Sequence, residues 1–572
     1  MVKQTNRGLS SKLLMVALPM LLLGVAQAAA AADAGGTWQP LSIGNGSNWA
    51  FFGGPWSDAE GGVLKHPPMP FNSGPAAYSG QRTTNNDLAQ AFYTKQAYGD
   101  FEATFKFRWG SGHNGAGIIF RAQDAQHYYL AHFEAIAQAI RASHFWARIS
   151  KVDGNGWVEV LRSERIGGVP PEIGITHEVR LVVQGNEFRL WVDKRPMSPV
   201  VDDSYSKPGY VGVETWGYGA AGSVIQDLKT RGEAAAAPAW DASVARKQDW
   251  FLPWPKGEVQ QSSQGFARLP DGGLLTVIGG TTLTSSDKGR TWNPLEAASS
   301  PGGALIQMPD GRMLAFAAGE GGFGWSESTD GKTWSERVKA ECGPFTPPAN
   351  APNLIINPPQ GFTPLRDGTI VAFQVAQIPG GSHESGQNIW EWGGRWENCA
   401  YSIRSTDGGK TWGSPVALNG APAVGQKWDL CEFSSNVQTK EGKLVSFARP
   451  IYAPGMWEIW SEDGGQTWGP ATIAPFGCWA TTALATADGT ILVSGRNPGL
   501  GLYVSHDSGM TWKEYRVDTG GLWAMGRMVE VAPGLVFYVY MDHYASYMRG
   551  QFIRITEDGA EPVREMLPAE LQ

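Results

Sequence analysis

The sequence has no segment that could cross a bilayer, and it has little charge. Its apolar run at 13–25 has 13 residues, and no later segment is long and apolar enough to span; a spanning helix needs about 20. Charged residues make up 17% of the 572 positions, with a net charge of −8 and no basic block. Nucleic acid and anionic membrane surfaces are therefore excluded as expected partners, and the mature chain is expected to have no membrane span.

Cysteine is also scarce. The four cysteines are Cys342, Cys399, Cys431 and Cys478. Their spacing matches no zinc motif, so neither a metal nor a cofactor is expected. One or two disulfides are compatible with an oxidising compartment, and the spacing does not determine how the cysteines would pair.

The first 30 residues have the pattern of an export signal. Lys3, Arg7 and Lys12 precede the apolar run 13–25, and small residues around Ala28 follow it. This order is typical of a secretory signal peptide at 1–30, and the run is too short for a membrane anchor. We expect a secreted or periplasmic protein.

Glycine, tryptophan and short β-branched runs are abundant. The chain has 74 Gly and 25 Trp, and long helical patterns are scarce. This composition predicts an all-β protein with many tight turns, and the length predicts two or more domains.

Residues 37–232 alternate between strand-like runs and turns. The runs include FEATFKFRW, GAGIIFRA, YYLAHFE, HEVRLVVQ, NEFRLWVD and GYVGVETW. Their alternation predicts an antiparallel β-sandwich with one solvent-facing side on each sheet, and the small residues that follow predict a linker at 233–249. The pattern resembles the concanavalin A-like lectin/glucanase sandwich. That resemblance implies a glycan-binding module, with a packing or spacer module as the alternative.

Residues 250–572 form six similar units, each with a strand, a tight turn and a second strand. The turns are PDGG, PDGR, RDGT, KEGK, ADGT and APGL. Each of the first five units then carries an SxDxGxTW element, for example STDGGKTW at 405–412, and ITEDG at 555–559 is a reduced copy. Asp-Gly between apolar runs indicates a hairpin. We expect the Asp to bind turn amides and the Trp to pack between neighbouring units, in a six-bladed β-propeller.

SxDxGxTW is the Asp-box, and its repetition resembles the sialidase (neuraminidase) superfamily. The resemblance implies an exo-glycosidase with an arginine clamp for a carboxylate, a tyrosine–glutamate nucleophile and an acid. Glu432 and Arg449 in the fourth unit resemble the family's catalytic glutamate and second arginine, and Arg496 resembles the third. Guanidinium groups bind carboxylates with two parallel hydrogen bonds, which suits an acidic sugar.

Two positions depart from the family pattern. Gln261 and Ser262 stand where the first arginine is expected, and Arg527 is a candidate to replace it. The nucleophilic tyrosine is absent from its usual strand, so Tyr544 is the expected displaced nucleophile, with Tyr540 and Tyr547 as alternatives.

The general acid is left open among several residues. His383 and Glu384 lie in a Gly-rich insertion, Asp429 precedes Glu432, and Asp542 follows an inner strand beside His543. A glycosidase needs one group to attack or stabilise the anomeric carbon and another to protonate the leaving oxygen. We expect Glu432 in the first role and Asp429, Glu384, His383 or Asp542 in the second.

Three functions fit these residues. The first is hydrolysis of a terminal acidic sugar, such as sialic acid or a similar sugar, from a glycan or polysaccharide. The second is a polysaccharide lyase that acts on a uronate, with a tyrosine or histidine base. The third is a propeller that binds glycans without catalysis.

Overall fold

The computed structural model describes residues 35–569, with internal gaps. The gaps are 43–45, 53–56, 60–62, 66–87, 109–112, 137–143, 167–174, 219–223, 237, 241–248, 255–262, 279, 296–301, 320–321, 348–354, 357, 378–398, 419–429, 451–455, 497–498, 519–521 and 543–547. For some strand residues, among them 430–435, 449–450 and 542, the description covers the backbone only. Within these described residues the chain is all β apart from one short 3-10 helix at Arg564–Met566. No helix there is long and apolar enough to cross a membrane.

Fifteen strands occur in the described residues of the first part of the chain. They are β1 (Gln39–Pro40), β2 (Trp49–Phe52), β3 (Ser57–Ala59), β4 (Val63–Lys65), β5 (Leu88–Arg108), β6 (His113–Ala122), β7 (His127–Ile136), β8 (His144–Asp153), β9 (Val158–Arg165), β10 (Thr176–Gln184), β11 (Glu187–Val192), β12 (Arg195–Pro196), β13 (Val200–Val201), β14 (Gly209–Tyr218) and β15 (Val224–Ala235). All six strand-like runs named from the sequence are strands here, and their pairings are antiparallel.

Two groups of these strands enclose a hydrophobic core. The first group pairs in the order β15–β5–β10–β11, and the second in the order β14–β6–β7–β8–β9. We call them the outer sheet and the inner sheet. Phe105, Leu181 and Leu190 from the outer sheet meet Phe120 and Phe133 from the inner sheet in one core cluster. Strand β15 runs three residues past the expected end of the sandwich at 232, because Ala234 and Ala235 still pair with β5.

The expectation of one solvent-facing side on each sheet is wrong for the inner sheet. On β7, Tyr128, Leu130, His132 and Glu134 point away from the core cluster, yet all four are buried. Trp240 from the linker region packs in the cluster that covers part of this face. Alternation of polar and apolar residues does not reveal burial of this kind, because the cover comes from distant parts of the chain.

In the described residues, the second part of the chain contains six groups of strands, which we call repeats 1 to 6. Repeat 1 contains β16 (Ser263–Arg268), β17 (Leu274–Ile278), β18 (Thr281–Ser285) and β19 (Asn293–Pro294); repeat 2 contains β20 (Ala304–Gln307), β21 (Met313–Gly319), β22 (Gly322–Ser328) and β23 (Val338–Lys339). After β24 (Glu341–Cys342), repeat 3 contains β25 (Ile355–Ile356), β26 (Gln360–Pro364), β27 (Ile370–Gln377), β28 (Cys399–Ser405), β29 (Thr411–Trp412) and β30 (Val416–Ala417).

The remaining three repeats have four strands each. Repeat 4 contains β31 (Leu430–Gln438), β32 (Leu444–Pro450), β33 (Trp457–Ser461) and β34 (Thr472–Ile473); repeat 5 contains β35 (Trp479–Ala485), β36 (Ile491–Arg496), β37 (Leu500–Ser505) and β38 (Lys513–Asp518); repeat 6 contains β39 (Leu522–Ala532), β40 (Leu535–Asp542), β41 (Met548–Thr556) and β42 (Gly559–Pro562). Each expected Asp-Gly type turn joins the first two main strands of its repeat.

The repeats form a propeller-like ring of sheets. Five of them, all except repeat 5, are separate sheets in the described part of the chain. The inner strands contact one another in the order β16, β20, β26, β31, β35 and β39, and β39 contacts β16. Six apolar clusters lie between successive repeats, so packing follows the same cyclic order.

Repeat 5 continues into the sandwich instead of ending as a separate sheet. Its last strand, β38, pairs antiparallel with β9, with Tyr515 opposite Glu159 and Arg516 opposite Val158. Trp157 packs on Tyr515, with ring centroids 5.6 Å apart. The inner sheet and repeat 5 therefore share one hydrogen-bonded edge.

Four buried charges reinforce this contact. Arg516 donates to Glu134 from Nη2 (2.7 Å) and Nε (3.0 Å to Oε1), and its Nη2 lies 2.9 Å from Glu514. Arg148 also bonds to Glu134 and lies 3.2 Å from Glu514. Burial would raise the pKa of Glu514, but Arg148 and Arg516 more than offset it and lower that pKa. Two arginines and two glutamates thus compensate one another at the contact.

Candidate functional site

The Asp-box turns have the structural role expected of them. Ser405 Oγ donates to Asp407 Oδ1 (2.9 Å), and Gly409 N–H donates to Ser405 Oγ (2.8 Å). Thr411 donates to Asp407 from both its N–H (2.9 Å) and its Oγ1 (2.6 Å). The turns at 285–292, 461–468 and 505–512 repeat this arrangement with distances between 2.5 and 2.9 Å. The carboxylates are fully engaged within their own turns.

The Asp-box tryptophans pack against the preceding repeat, as expected. Trp412 lies edge-on to Phe316 of repeat 2, and Trp468 lies edge-on to Phe373 of repeat 3. Burial would raise the pKa of Asp407, but hydrogen bonds from Thr411 and Ser405 outweigh it and lower the pKa. An aspartate held in this way stabilises the fold and is unsuited to proton transfer near neutral pH.

The candidate catalytic residues lie at the other end of the same strands. In repeat 5, Ile491 pairs with the Asp-box residue Ser505, while Arg496 pairs with Leu500 at the opposite end. In repeat 4, Leu444 pairs with the Asp-box residue Ser461, whereas Arg449 is five positions further along β32. We call this end of the strands the distal end, and the other the Asp-box end.

Glu432 and Arg449 are direct cross-strand partners at the distal end of repeat 4. The register shifts on both sides of Glu432, between Leu430 and Glu432 and between Phe433 and Ser435. Such bulges redirect side chains and often lie next to active sites. The expected placement of this glutamate and arginine on one hairpin is therefore present in the backbone.

Two further arginines come from the neighbouring repeats. Arg496 is 7% exposed at the end of β36. Arg527 on β39 is half-buried, and its Nη1 donates to the carbonyl of Gly526 (2.8 Å). Glu432 lies on β31, Arg496 on β36 and Arg527 on β39. Strand β35 contacts both β31 and β39, and β36 contacts β39, so the three residues belong to three consecutive repeats that contact one another.

A buried ion pair at the distal end was not expected from the sequence. Asp518, which is 5% exposed, accepts from Arg549 Nη1 at 2.9 and 2.8 Å and from the Tyr540 hydroxyl at 2.7 Å. Gln551 donates to Tyr540 (2.6 Å), and the Trp250 ring lies 4.2 Å from the Arg549 guanidinium. Asp518 ends the strand KEYRVD, and nothing in that strand's sequence indicates that its partner is Arg549, which is 31 residues away.

Tyr540 is a core residue, so its proposal as a displaced nucleophile is wrong. Its side chain is 0% exposed, and burial raises its pKa well above the ordinary value. A nucleophile must reach the substrate and lose its proton readily, and Tyr540 does neither.

The other candidates lie outside the described residues. They are His383, Glu384, Asp429, His543, Tyr544 and Tyr547, together with Gln261 and Ser262. Asp542 ends β40 and pairs with Leu522 at the distal end, but its side chain is not described. The roles of these residues stay predictions.

Glu458 is a titratable group that sequence reasoning missed. It lies on β33 and is 8% exposed. Burial raises its pKa to about 7, with a hydrogen bond to Trp460 acting in the opposite direction. Only its position in an otherwise apolar strand, WEIWS, distinguishes it in the sequence.

No cluster of three or more metal-ligating side chains occurs in the part of the chain that the structure describes. Cys342 and Cys478 are free cysteines, the first exposed and the second buried.

Comparison with known proteins identifies two matching families. Residues 296–519 match the BNR repeat-like domain, and residues 37–225 match the 3-keto-alpha-glucoside-1,2-lyase-like domain. A sialidase of Paraclostridium sordellii is 26% identical over an alignment of 271 residues that covers 40% of this chain and 62% of that protein. A sialidase of Micromonospora viridifaciens is 25% identical over 240 residues, covering 38% of this chain and 35% of that protein.

The chain thus matches less than two thirds of the length of either sialidase. Among solved structures, the Hadza microbial sialidase Hz136 is similar at 15% identity with a TM-score of 0.37, covering 80% of this chain and 94% of that one. The resemblance to the sialidase superfamily, with a sandwich domain preceding the repeats, is confirmed by the family matches and the two relatives.

Proposed function

We propose that this chain, a relative of the sialidases, hydrolyses a terminal acidic sugar from a glycan. One observation carries the proposal: Glu432 pairs with Arg449 at the distal end of repeat 4, and Arg496 lies at the same end of repeat 5. One glutamate and two arginines at the same end of adjoining repeats have the composition of a site for a carboxylated sugar.

Each residue in this proposal has a distinct task. Arg449 and Arg496 bind the sugar carboxylate, with Arg527 in place of the missing first arginine. Glu432 stabilises or attacks the anomeric centre, directly or through Tyr544. One of Asp429, Glu384, His383 and Asp542 protonates the leaving oxygen, as glycoside cleavage requires.

We also propose that the ring has six blades, with repeat 5 as the fifth. Its strands β35 to β38 pair consecutively as in the other repeats, and β35 contacts β31 and β39. The pairing of β38 with β9 then explains why only five repeats are separate sheets. The domains in this proposal are a sandwich at 37–232 and a propeller at 250–572, joined by the segment between them.

We further propose that the protein is exported through its N-terminal signal and that carbohydrate is its ligand class. The sandwich matches a family whose description names a glucoside, and the propeller's relatives are sialidases. Both descriptions support a sugar as the ligand.

A release assay on the mature chain tests this function. Sialylated and uronate-containing glycans are offered, and free sugar and ultraviolet absorbance are both measured. We expect free sugar without absorbing product, and a loss of about 10²–10⁴-fold in Glu432→Gln. Glu441→Gln is the matched control, because Glu441 lies in the turn at the other end of the same hairpin and accepts from Ser508 (2.7 Å); its activity should be unchanged.

Two other results would replace the proposal. An absorbing, unsaturated product would assign the protein to the polysaccharide lyases. Absence of any product, with glycan binding intact in the wild type and in Glu432→Gln, would leave a binding propeller.

A further inference from the structure

The outer sheet of the sandwich carries a groove that the proposed active site does not use. The groove has a volume of about 500 Å³ and is lined by residues of β5, β10 and β15 and of the segment from β11 to β12. This volume is in the range of small-molecule sites. The residues described as contacting repeat 5 belong to β7, β8 and β9 of the inner sheet and to the turn between β8 and β9, so the groove is on a different sheet from that contact.

An aromatic ring and a fixed guanidinium lie together in the groove. The Arg180 guanidinium is 4.8 Å from the centre of the Trp191 ring, and Trp191 is half-buried. Arg180 Nε donates to Glu102 at 2.6 Å, and Glu102, only 2% exposed, also accepts from Arg231 Nη2 at 2.7 Å. A buried carboxylate therefore holds Arg180 against the tryptophan, so this part of the groove is organised in advance of binding.

The backbone beside the groove departs from regular strand geometry. A bulge between Gln226 and Lys229 interrupts the pairing of β15 with β5, and Asp227 within it has φ of 52°. Asp227 bonds to Lys106 at 2.9 Å. Bulges re-aim side chains at functional sites, and this one places Asp227 and Lys229 on the groove.

The groove is more positive than the chain as a whole. Four cations line it, with two carboxylates, on a chain whose net charge is −8. Lys106 and Arg180 have carboxylate partners. Lys194 and Lys229 are exposed, and Lys229 also interacts electrostatically with Asp227. An incoming anion would meet these two lysines.

We propose that this groove is a second carbohydrate site, which binds a carboxylated sugar segment of a glycan. The flat ring of Trp191 packs against a sugar face, as aromatic residues do in sugar and small-molecule sites. Lys194 and Lys229 bind the sugar carboxylate, a group that sialic acid and uronic acid residues share. The groove thereby tethers the protein to an anionic polymer while the propeller acts on chain ends.

Binding is tested on the mature chain carrying Glu432→Gln, so that substrate is not consumed. Calorimetric titrations use sialyllactose, oligogalacturonate and a neutral oligosaccharide of equal length. We expect binding of one or both carboxylated sugars, weakening with added salt, and no comparable binding of the neutral one. The two carboxylated ligands distinguish sialic acid from uronate as the source of the charge.

Variants separate the groove from the propeller site. Trp191→Ala and the double variant Lys194→Gln, Lys229→Gln should each weaken binding about 10-fold or more. Trp191→Phe keeps an aromatic ring and should retain most of the wild-type affinity. The double variant Lys410→Gln, Lys440→Gln removes two exposed propeller lysines and serves as the charge-matched control.

The proposal is overturned by equal binding of neutral and carboxylated sugars, by unchanged affinity in the double lysine variant, or by no binding at all. It is also overturned if the groove variants, made with Glu432 intact, lose release of sugar from small soluble substrates. Failure of the proposed hydrolase would appear separately, as absent release with groove binding still present.

Discussion

The two ends of the propeller strands differ in how their polar residues are satisfied. At the Asp-box end, Asp407 bonds only to residues within four positions of it. At the distal end, Asp518 bonds to Tyr540 and Arg549, which are 22 and 31 residues away. The Asp-box aspartates are held by local hydrogen bonds, whereas Asp518 is held by hydrogen bonds between repeats.

This difference teaches where function is to be sought. A local turn can be copied in every repeat because it depends on nothing outside itself, and each copy contributes stability. The contact of Asp518 with Arg549 joins two different repeats and depends on both of them, so it gives the distal end a composition that a copied turn does not have.

Removing the charge of Asp518 should be the most damaging change to stability. Asp518→Asn leaves Arg549 buried without its carboxylate, which costs about 3–5 kcal/mol in the free energy of unfolding. Urea denaturation measures the loss. Glu561→Gln is the control, because its ion pair with Arg554 is exposed (45% for both side chains), and its effect should stay within about 0.5 kcal/mol. An equal effect of the two substitutions would contradict the burial argument.

Glu458 should make stability depend on pH. Its pKa is about 7 in the folded state against 4.5 ordinarily. Between these values the folded state binds a proton that the unfolded state has lost, so stability falls as pH rises from about 4.5 to 7 and stays lower above that. Glu458→Gln should stabilise the protein at pH 8 by on the order of 3 kcal/mol and have little effect at pH 4.5.

Denaturation of both proteins across this pH range checks the result. Glu462→Gln, one strand-end away and 69% exposed, should show no such dependence. A constant difference between wild type and Glu458→Gln at every pH would show that the carboxyl titrates normally.

Arg496 should affect catalysis more than folding. Arg496→Lys keeps the charge but loses two-pronged binding of a carboxylate, and we expect kcat/KM to fall roughly 100-fold, about 2.7 kcal/mol of transition-state binding. The melting temperature should change little. A large fall in melting temperature with unchanged activity per folded molecule would assign Arg496 to the structure alone.

A single Asp-box aspartate should contribute least. Asp407→Ala removes the acceptor for Thr411 and Ser405 and should cost roughly 1–2 kcal/mol, with activity unchanged. Because the folded-state pKa of Asp407 is lowered, its contribution is present above the ordinary aspartate range and is lost as pH falls through the lowered value. Urea denaturation of the wild type and of Asp407→Ala at pH 7 and near pH 3 measures how much of this contribution is lost in acid. Loss of sugar release in Asp407→Ala would break the division between the ends.

The local features of the fold could be predicted from the sequence. The Asp-Gly turns, the Asp-box hydrogen bonds and the packing of Trp412 and Trp468 all depend on residues close in the chain or on one repeating pattern. The pairing of Glu432 with Arg449 could be predicted for the same reason, because a single hairpin connects the two residues.

The long-range features could not be predicted in this way. Glu134 and Arg516 are 382 residues apart, and nothing in either strand indicates the other. Tyr540 occupies a strand that reads equally well as solvent-facing or buried, and its burial comes from an apolar cluster with repeat 5 and from its hydrogen bond to Asp518. Such contacts depend on which edges meet, and strand patterns do not specify that.

The position of a bound sugar decides whether the distal end of the propeller strands is the active site. A crystal structure of Glu432→Gln soaked with the released sugar should show its carboxylate against Arg449 and Arg496 at the distal end. A sugar bound at the Asp-box end, or bound in the sandwich groove with the distal end empty at saturating concentration, would contradict the account.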